Sequence, residues 1–238
     1  MNFYFLVEGK TEKIVYDAWI KHVFGDLQSV EKIEEIKENH FFIFMGGGQP
    51  MTIQLIEHTL EDITNHGCID HFFICLDAEQ ESVEKKRKQV EDVLENSKKN
   101  VFPNTHIIVH NCCIETWFLG NHSFFDQDIQ GKELKDYILF FDIRKDDPEL
   151  MGICPDKRFE KWTRAQFHEE YLVKMLHEKC KVRYRKAKPC CVEEKSYFAG
   201  LVKRNVQTGH IPTFGELIKL WCEFGGVIEE MNSSPETC

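Results

Sequence analysis

The stretch NFYFLVEGKTE, residues 2–12, decides the fold. Residues 2–7 are apolar without alternation, which suits a strand buried on both faces of a parallel sheet. Glu8 and Gly9 end the run. From Thr11 and Glu12 to Phe24, Ile14, Val15, Ala18, Trp19 and Val23 recur on one helical face. The same alternation continues downstream. HFFIFM (His40–Met45) reads as a second strand, ended by Gly46, Gly47 and Gly48, and a helix follows over residues 51–65. Residues 69–76 give a third strand and 81–98 a charged amphipathic helix. Residues 105–110 (THIIVH) give a fourth strand, running into a short helix from Ile114. Strand alternating with helix predicts an α/β, Rossmann-like domain with a mainly parallel four-stranded sheet, covered on both faces.

The remainder reads differently. Residues 124–155 are irregular, rich in Asp, Gly and Pro, with one strand-like run at 137–143. Helical patterns follow at 158–178, 193–205 and 214–224, with a basic extended stretch at 181–188. The chain therefore divides into a domain over residues 1–122, a mostly helical basic extension over 123–231 packed on it, and a disordered tail over 232–238.

The net charge of -10 hides an asymmetry. Residues 1–120 carry 11 Lys/Arg against 20 Asp/Glu, whereas residues 157–204 carry 14 against 6. An acidic part suits cations and a basic part suits phosphates, as an enzyme acting on a polyanion through metal ions requires. No apolar run reaches the roughly 20 residues of a membrane span. The start lacks the basic n-region of a signal peptide, so a cytoplasmic protein with no membrane partner is expected. The 10 cysteines include no CxxC spacing, and free thiols fit that compartment.

In an open α/β sheet, functional groups gather where strands end at their carboxyl edge. Glu8 follows the first strand. Asp77, Glu79 and Glu81 follow the third at alternating positions, and Glu115 lies just past the fourth. Like charges brought together there need a cation, and Mg²⁺ or Mn²⁺ takes such oxygen ligands while keeping positions for substrate phosphates. Gly46, Gly47 and Gly48 form a candidate phosphate loop, with a ligand-free tight turn as the equal alternative. Lys181, Arg183, Arg185, Lys186 and Lys188, with Tyr184 among them, form a candidate nucleic-acid surface that Lys203 and Arg204 would extend; a solvated basic edge is the plain alternative. His110 could approach the carboxyl edge, although a core histidine is the more ordinary reading.

VEGKTE (residues 7–12) and LDAEQE (residues 76–81) together resemble the TOPRIM domain, with its strand-end Glu-Gly and D-x-D-x-E triplet. MGGGQP (residues 45–50) and CIETWFLGN (residues 113–121) sharpen the likeness to small stand-alone TOPRIM-like proteins of bacterial antiphage defence, relatives of the overcoming-lysogenization-defect nucleases. Glu79 stands where the family usually has Asp. The resemblance implies a Mg²⁺- or Mn²⁺-dependent endonuclease cleaving DNA or RNA, tRNA included. By that resemblance Glu8 would handle proton transfer or hold metal, Asp77, Glu79 and Glu81 would be the metal triplet, and Glu115 would complete the set; from the basic run itself, Lys186 or Lys188 could steady the charge on the scissile phosphate. The resemblance also implies an ATPase partner and leaves a homodimer open. Two other readings remain: a non-catalytic TOPRIM module binding nucleic acid beside an ATPase, and a metal-dependent phosphotransferase.

Overall fold

The computed structural model describes residues 1–97, 104–121 and 131–228, the side chains of residues 179 and 180 excepted. The expected tail at 232–238, and residues 124–130 of the expected irregular segment, lie outside the described residues. At the centre is β1 (Phe3–Val7), buried at every position. Its side chains divide with the period of two that a strand imposes. Phe3, Phe5 and Val7 enter one apolar cluster, while Tyr4 and Leu6 enter another on the opposite face.

Four more strands complete an all-parallel sheet: β2 (Gln28–Val30), β3 (His40–Met45), β4 (His71–Asp77) and β5 (Asn104–His110), in the order β2-β3-β1-β4-β5. The sheet thus has five strands where the sequence predicts four. The extra strand, β2, is three residues of QSV at the sheet edge with two of them exposed, so no apolar run announces it. From β1 the chain works outward to β2 and β3 on one side, then returns to lay down β4 and β5 on the other. The reversal falls between β1 and β4, and the carboxyl ends flanking such a switch point are where open α/β sheets bind ligands.

Helices cover both faces. On the first, α1 (Lys10–Val23) is joined by α5 (Ile114–Phe118), α7 (Arg164–Cys180), α8 (Lys195–Thr208) and α9 (Pro212–Glu223), whose buried residues form one cluster with Phe3, Phe5 and Phe73. Phe5 and Phe73 stack across β1 and β4 with ring centroids 4.3 Å apart. On the second face lie α3 (Ile56–His66), which follows the short α2 (Met51–Gln54), and α4 (Val83–Asn96). These supply Ile56, Leu60, Ile63 and Val90. α7, α8 and α9 therefore share the core of the sheet domain. No described helix is long and apolar enough to cross a membrane, and Cys68, Cys75, Cys112, Cys113, Cys154 and Cys190 are free thiols.

Two further expectations are corrected. The strand-like run at 137–143 begins inside α6 (Lys132–Phe140). A helical spacing of three wins there because Leu134 and Tyr137 are both buried, and the Tyr137 ring packs 5.1 Å from Phe167 and 5.0 Å from Tyr171. Arg204, expected to extend a nucleic-acid surface, is 1% exposed. Its guanidinium donates to the carbonyls of Gly120, Ile143 and Asp146 at 3.2, 2.6 and 2.8 Å and binds Nδ1 of His210. It pins α8 to the end of α5 and to the segment after α6, while its neighbour Lys203 faces solvent.

Replacing Arg204 by Met would strand these buried carbonyls. A loss of about 3 kcal/mol is expected, lowering Tm by roughly 5–10 °C, whereas Lys203→Ala should stay within about 0.5 kcal/mol. Equal, small effects in thermal denaturation would contradict the structural role.

Candidate functional site

β1 and β4 are adjacent, so their carboxyl ends deliver Glu8 and Asp77 side by side. The two acids are linked directly, because the Asp77 N–H donates to Glu8 Oε1 at 2.8 Å. The same oxygen accepts from Gln49 Nε2 at 2.7 Å, and Gln49 also donates to the Asp77 carbonyl. Gln49 is itself held by Lys86, an almost fully buried lysine on α4 that donates to its Oε1 and pairs with Glu81 at 3.1 Å. Glu8 Oε1 thus has two fixed donors, while Oε2 has no hydrogen-bond partner among the described residues.

Asp77 repeats the pattern. Its Oδ1 accepts from His110 Nδ1 at 2.7 Å and from the Ile114 N–H at 3.1 Å, leaving Oδ2 without a hydrogen-bond partner among the described residues. His110, fully buried at the end of β5, meets the Tyr16 hydroxyl through Nε2 at 2.9 Å. Burial holds its pKa down to about 4, against the pull of Glu12, Glu8 and Glu115. The ring is therefore neutral at pH 7, and the network assigns the tautomer: Tyr16 donates to Nε2 and Nδ1–H donates to Asp77. Glu115, at the start of α5 and 2% exposed, follows suit: Oε1 accepts from the Tyr184 hydroxyl at 2.9 Å and lies 3.8 Å from Lys186 Nζ.

These acids line an open cleft of about 540 Å³ at the carboxyl edge of the sheet, together with Glu12, Glu79, Lys10 and Lys186. Glu12 is the member that the sequence reading passed over. It is 6% exposed, and one of its oxygens lies with ligand atoms of Asp77 and His110, all within 4.8 Å of one another. Its signal was present: Glu8 and Glu12 are four residues apart across a strand-to-helix junction, so both point to one edge.

Burial raises the pKa of Glu8, and burial followed by the charges of Glu8 and Glu115 raises Asp77 well above the carboxylate range. Burial, then Asp77, pushes Glu12 up to about 8. A cluster that is short of positive charge holds on to protons, and a hard divalent cation offsets the same repulsion. The oxygen donor set fits Mg²⁺ or Mn²⁺: Glu12, Asp77 and Glu79 would hold it, and His110 would orient Asp77 from behind.

The other expected residues fall as follows. Glu79 is exposed and lines the cleft; its backbone is in the left-handed region (φ 54°) and its N–H donates to Cys112 O at 2.7 Å. Glu81 does not line the cleft. It turns onto α4, pairing with Lys85 at 2.6 Å and accepting from Gln89, with its pKa lowered to about 2 by Lys85, Lys86 and Gln89. The triplet therefore delivers two acids to the cleft, because Glu81 lies just before the Ser82 cap of α4 and its side chain is drawn onto Lys85, Lys86 and Gln89 of that helix.

Gly47 and Gly48 line the cleft, but as a phosphate loop they are already engaged. Positive φ values of 84° and 88° let both N–H groups donate to the Glu8 carbonyl at 3.0 Å, and Gly46 N donates to Val7 O. The loop buttresses Glu8 instead of offering free donors, and α2 behind it is only four residues long.

The basic run is a tight turn bridged between Arg185 and Lys188, not an extended strand. Lys181, Arg183, Arg185, Lys186 and Lys188 are exposed, whereas Tyr184, expected to stack on a base, is buried on Glu115. Thr11 Oγ1 ties the turn to α1 by donating to the Lys186 carbonyl at 2.9 Å. Lys186 Nζ then stands between Glu115 and Glu169, the latter 3.3 Å away. Partial burial works to lower its pKa, but Glu115 and Glu169 outweigh this and keep it above the usual lysine value, hence charged. Behind Glu79 and Glu115, Cys112, Cys113 and His168 form a buried group of softer ligand atoms, with His168 Nδ1 2.7 Å from Thr116 Oγ1.

A group whose folded pKa is raised gives stability that is complete below its unfolded value and is lost as pH rises through the folded one. For Glu12 that window runs from about 4.5 to about 8. Metal-free protein should therefore lose thermal stability across it, Mn²⁺ should restore stability at the upper end, and Glu12→Gln should flatten the slope. Glu149, pushed up to about 7 by burial, adds a slope of the same sign, so the comparison with Glu12→Gln isolates the cleft. A Tm that rises over this range, or one indifferent to Mn²⁺, would contradict the electrostatic reading.

Comparison of the chain with protein-family models, with curated proteins and with solved structures finds no match.

Proposed function

We propose that the protein is a Mg²⁺- or Mn²⁺-dependent nuclease that hydrolyses phosphodiester bonds of DNA or RNA. One observation carries the reading: Glu8, Asp77 and Glu115 each have one oxygen fixed by protein donors and the other without a hydrogen-bond partner among the described residues, in a cleft that a charged lysine beside Glu115 also lines. Preorganised acids facing a basic group suit chemistry in which positioning and electrostatic stabilisation do most of the work.

A bound cation would supply an activated water and offset charge on the scissile phosphate. The chain's own groups do the rest. Glu8 Oε2 is the atom free to take the proton from the attacking water, and Gln49, steadied by Lys86, keeps that carboxylate from turning away. His110 and the Ile114 N–H fix Asp77, so its second oxygen meets a ligand without a rotamer search. Lys186 donates to a non-bridging phosphate oxygen, and Arg183, Arg185 and Lys188 beside it give the departing strand a cationic path. The TOPRIM likeness of VEGKTE and LDAEQE implies the same chemistry, although Glu81 of the triplet turns away from the cleft. By that likeness the proposal extends to an effector of antiphage defence controlled by a partner ATPase.

The test is cleavage of plasmid, single-stranded DNA and bulk tRNA with Mg²⁺ or Mn²⁺. Asp77→Asn and Glu8→Gln should each lower the rate by a factor of about 10³ or more with the fold intact, as expected when a group acting in the transition state is removed. Glu81→Gln, outside the cleft, should stay within about threefold. Cleavage that persists in chelator, or that survives both substitutions, would rule the proposal out.

A further inference from the structure

A second hollow, of about 620 Å³, opens beside the carboxylate cleft and shares Lys10 and Met45 with it. The two hollows adjoin at Lys10, the first residue of α1, and at Met45. The apolar wall of the second comes from Ile14 and Ala18 of α1, Val30 of β2, and Ile43 and Met45 of β3. Its rim is charged but balanced. Lys13 pairs with Glu31 at 3.4 Å and Lys21 with Asp17 at 2.6 Å, while Glu193 adds a third acid and Lys10 a third lysine.

With three lysines against three acids, this hollow has no excess of positive charge to draw a phosphate. The charged rim argues equally against a purely aliphatic ligand. What fits is a flat, neutral group with apolar faces and a polar edge. Lys10, which pairs with no acid among the described residues, stands where the two hollows meet, as a contact to the phosphate that links them would require.

We infer that this hollow receives an unpaired nucleobase next to the scissile phosphate, so that the enzyme acts on single-stranded or locally unpaired nucleic acid. The inference rests on the nuclease reading of the neighbouring cleft. Bases in a duplex face inward, so a base reaches a hollow beside its own backbone only when it is single-stranded or flipped out. Apolar walls then take the faces of any base, which gives occupancy without a strong sequence preference.

Ser29 and Glu31 are exposed positions lining the hollow, away from the acidic cluster, so Ser29→Trp and Glu31→Trp fill it with the fold checked by circular dichroism. Wild-type protein should cut a single strand at least about tenfold faster than the same strand in a duplex. Each Trp variant should lose about tenfold on the single strand. Neither should lose more on a strand carrying abasic residues at and beside the cut, because the group they exclude is then already missing. A duplex cut as fast as the single strand, with both Trp variants at wild-type rates, overturns the inference and leaves the nuclease reading standing. Binding of a 2-aminopurine oligonucleotide provides a readout independent of cleavage. If wild-type protein cuts nothing, the nuclease reading falls, but an emission change lost in the Trp variants still supports the base site. No emission change with wild-type protein sinks the base site.

Discussion

Like charges crowded at one edge of a sheet repel each other, and most of the molecule around this cleft is arranged to hold them there. Glu8, Glu12, Asp77, Glu79 and Glu115 line a single cleft. The three that are clearly perturbed, Glu8, Glu12 and Asp77, are all raised, with burial as the leading cause. A fold gains nothing in stability from such an arrangement. Strongly perturbed groups gathered in a cleft are a feature of functional sites, and the proposed cation would offset the repulsion.

The scaffold meets the cost by fixing one oxygen of an acid and freeing the other. Each fixing group is itself fixed. Lys86 holds Gln49, which holds Glu8; Tyr16 holds His110, which holds Asp77. Tyr184 holds Glu115, and the turn that carries Tyr184 is tied to α1 through Thr11. Elements from both faces of the sheet and from the carboxyl-terminal segment therefore converge on one edge. The shared core of the sheet domain and the later helices has a functional consequence, since Lys186 reaches the cleft only because that segment is packed against it.

Much of this was legible in the sequence. The uninterrupted apolar runs at 2–7 and 40–45 mark buried parallel strands, and strand ends identify Glu8, Asp77 and Glu115 without any knowledge of the third dimension. What stayed hidden depends on cross-chain partners. Glu12 reads as an ordinary first-turn helix acid until the fold brings it to Asp77. His110 reads as a core histidine, which it is, and its role comes from the Asp77 oxygen it meets. The basic run at 181–188 suggested an extended surface with an aromatic for stacking, but the hydroxyl of Tyr184 is worth more to Glu115 than its ring is to solvent. Glu81 misled because strand alternation was carried past the end of β4 at Asp77 into a turn, where Lys85, Lys86 and Gln89 of α4 capture the side chain. β2 is too short and too wet to leave a hydrophobic signature.

The most direct measurement is anomalous diffraction from a crystal soaked in Mn²⁺. The expected result is one or two manganese ions in the cleft, coordinated by the second oxygen of Asp77 and by Glu12, with Glu8 beside them. Manganese bound only elsewhere on the surface, with the cleft empty and these carboxyls still protonated, would contradict the account at its centre.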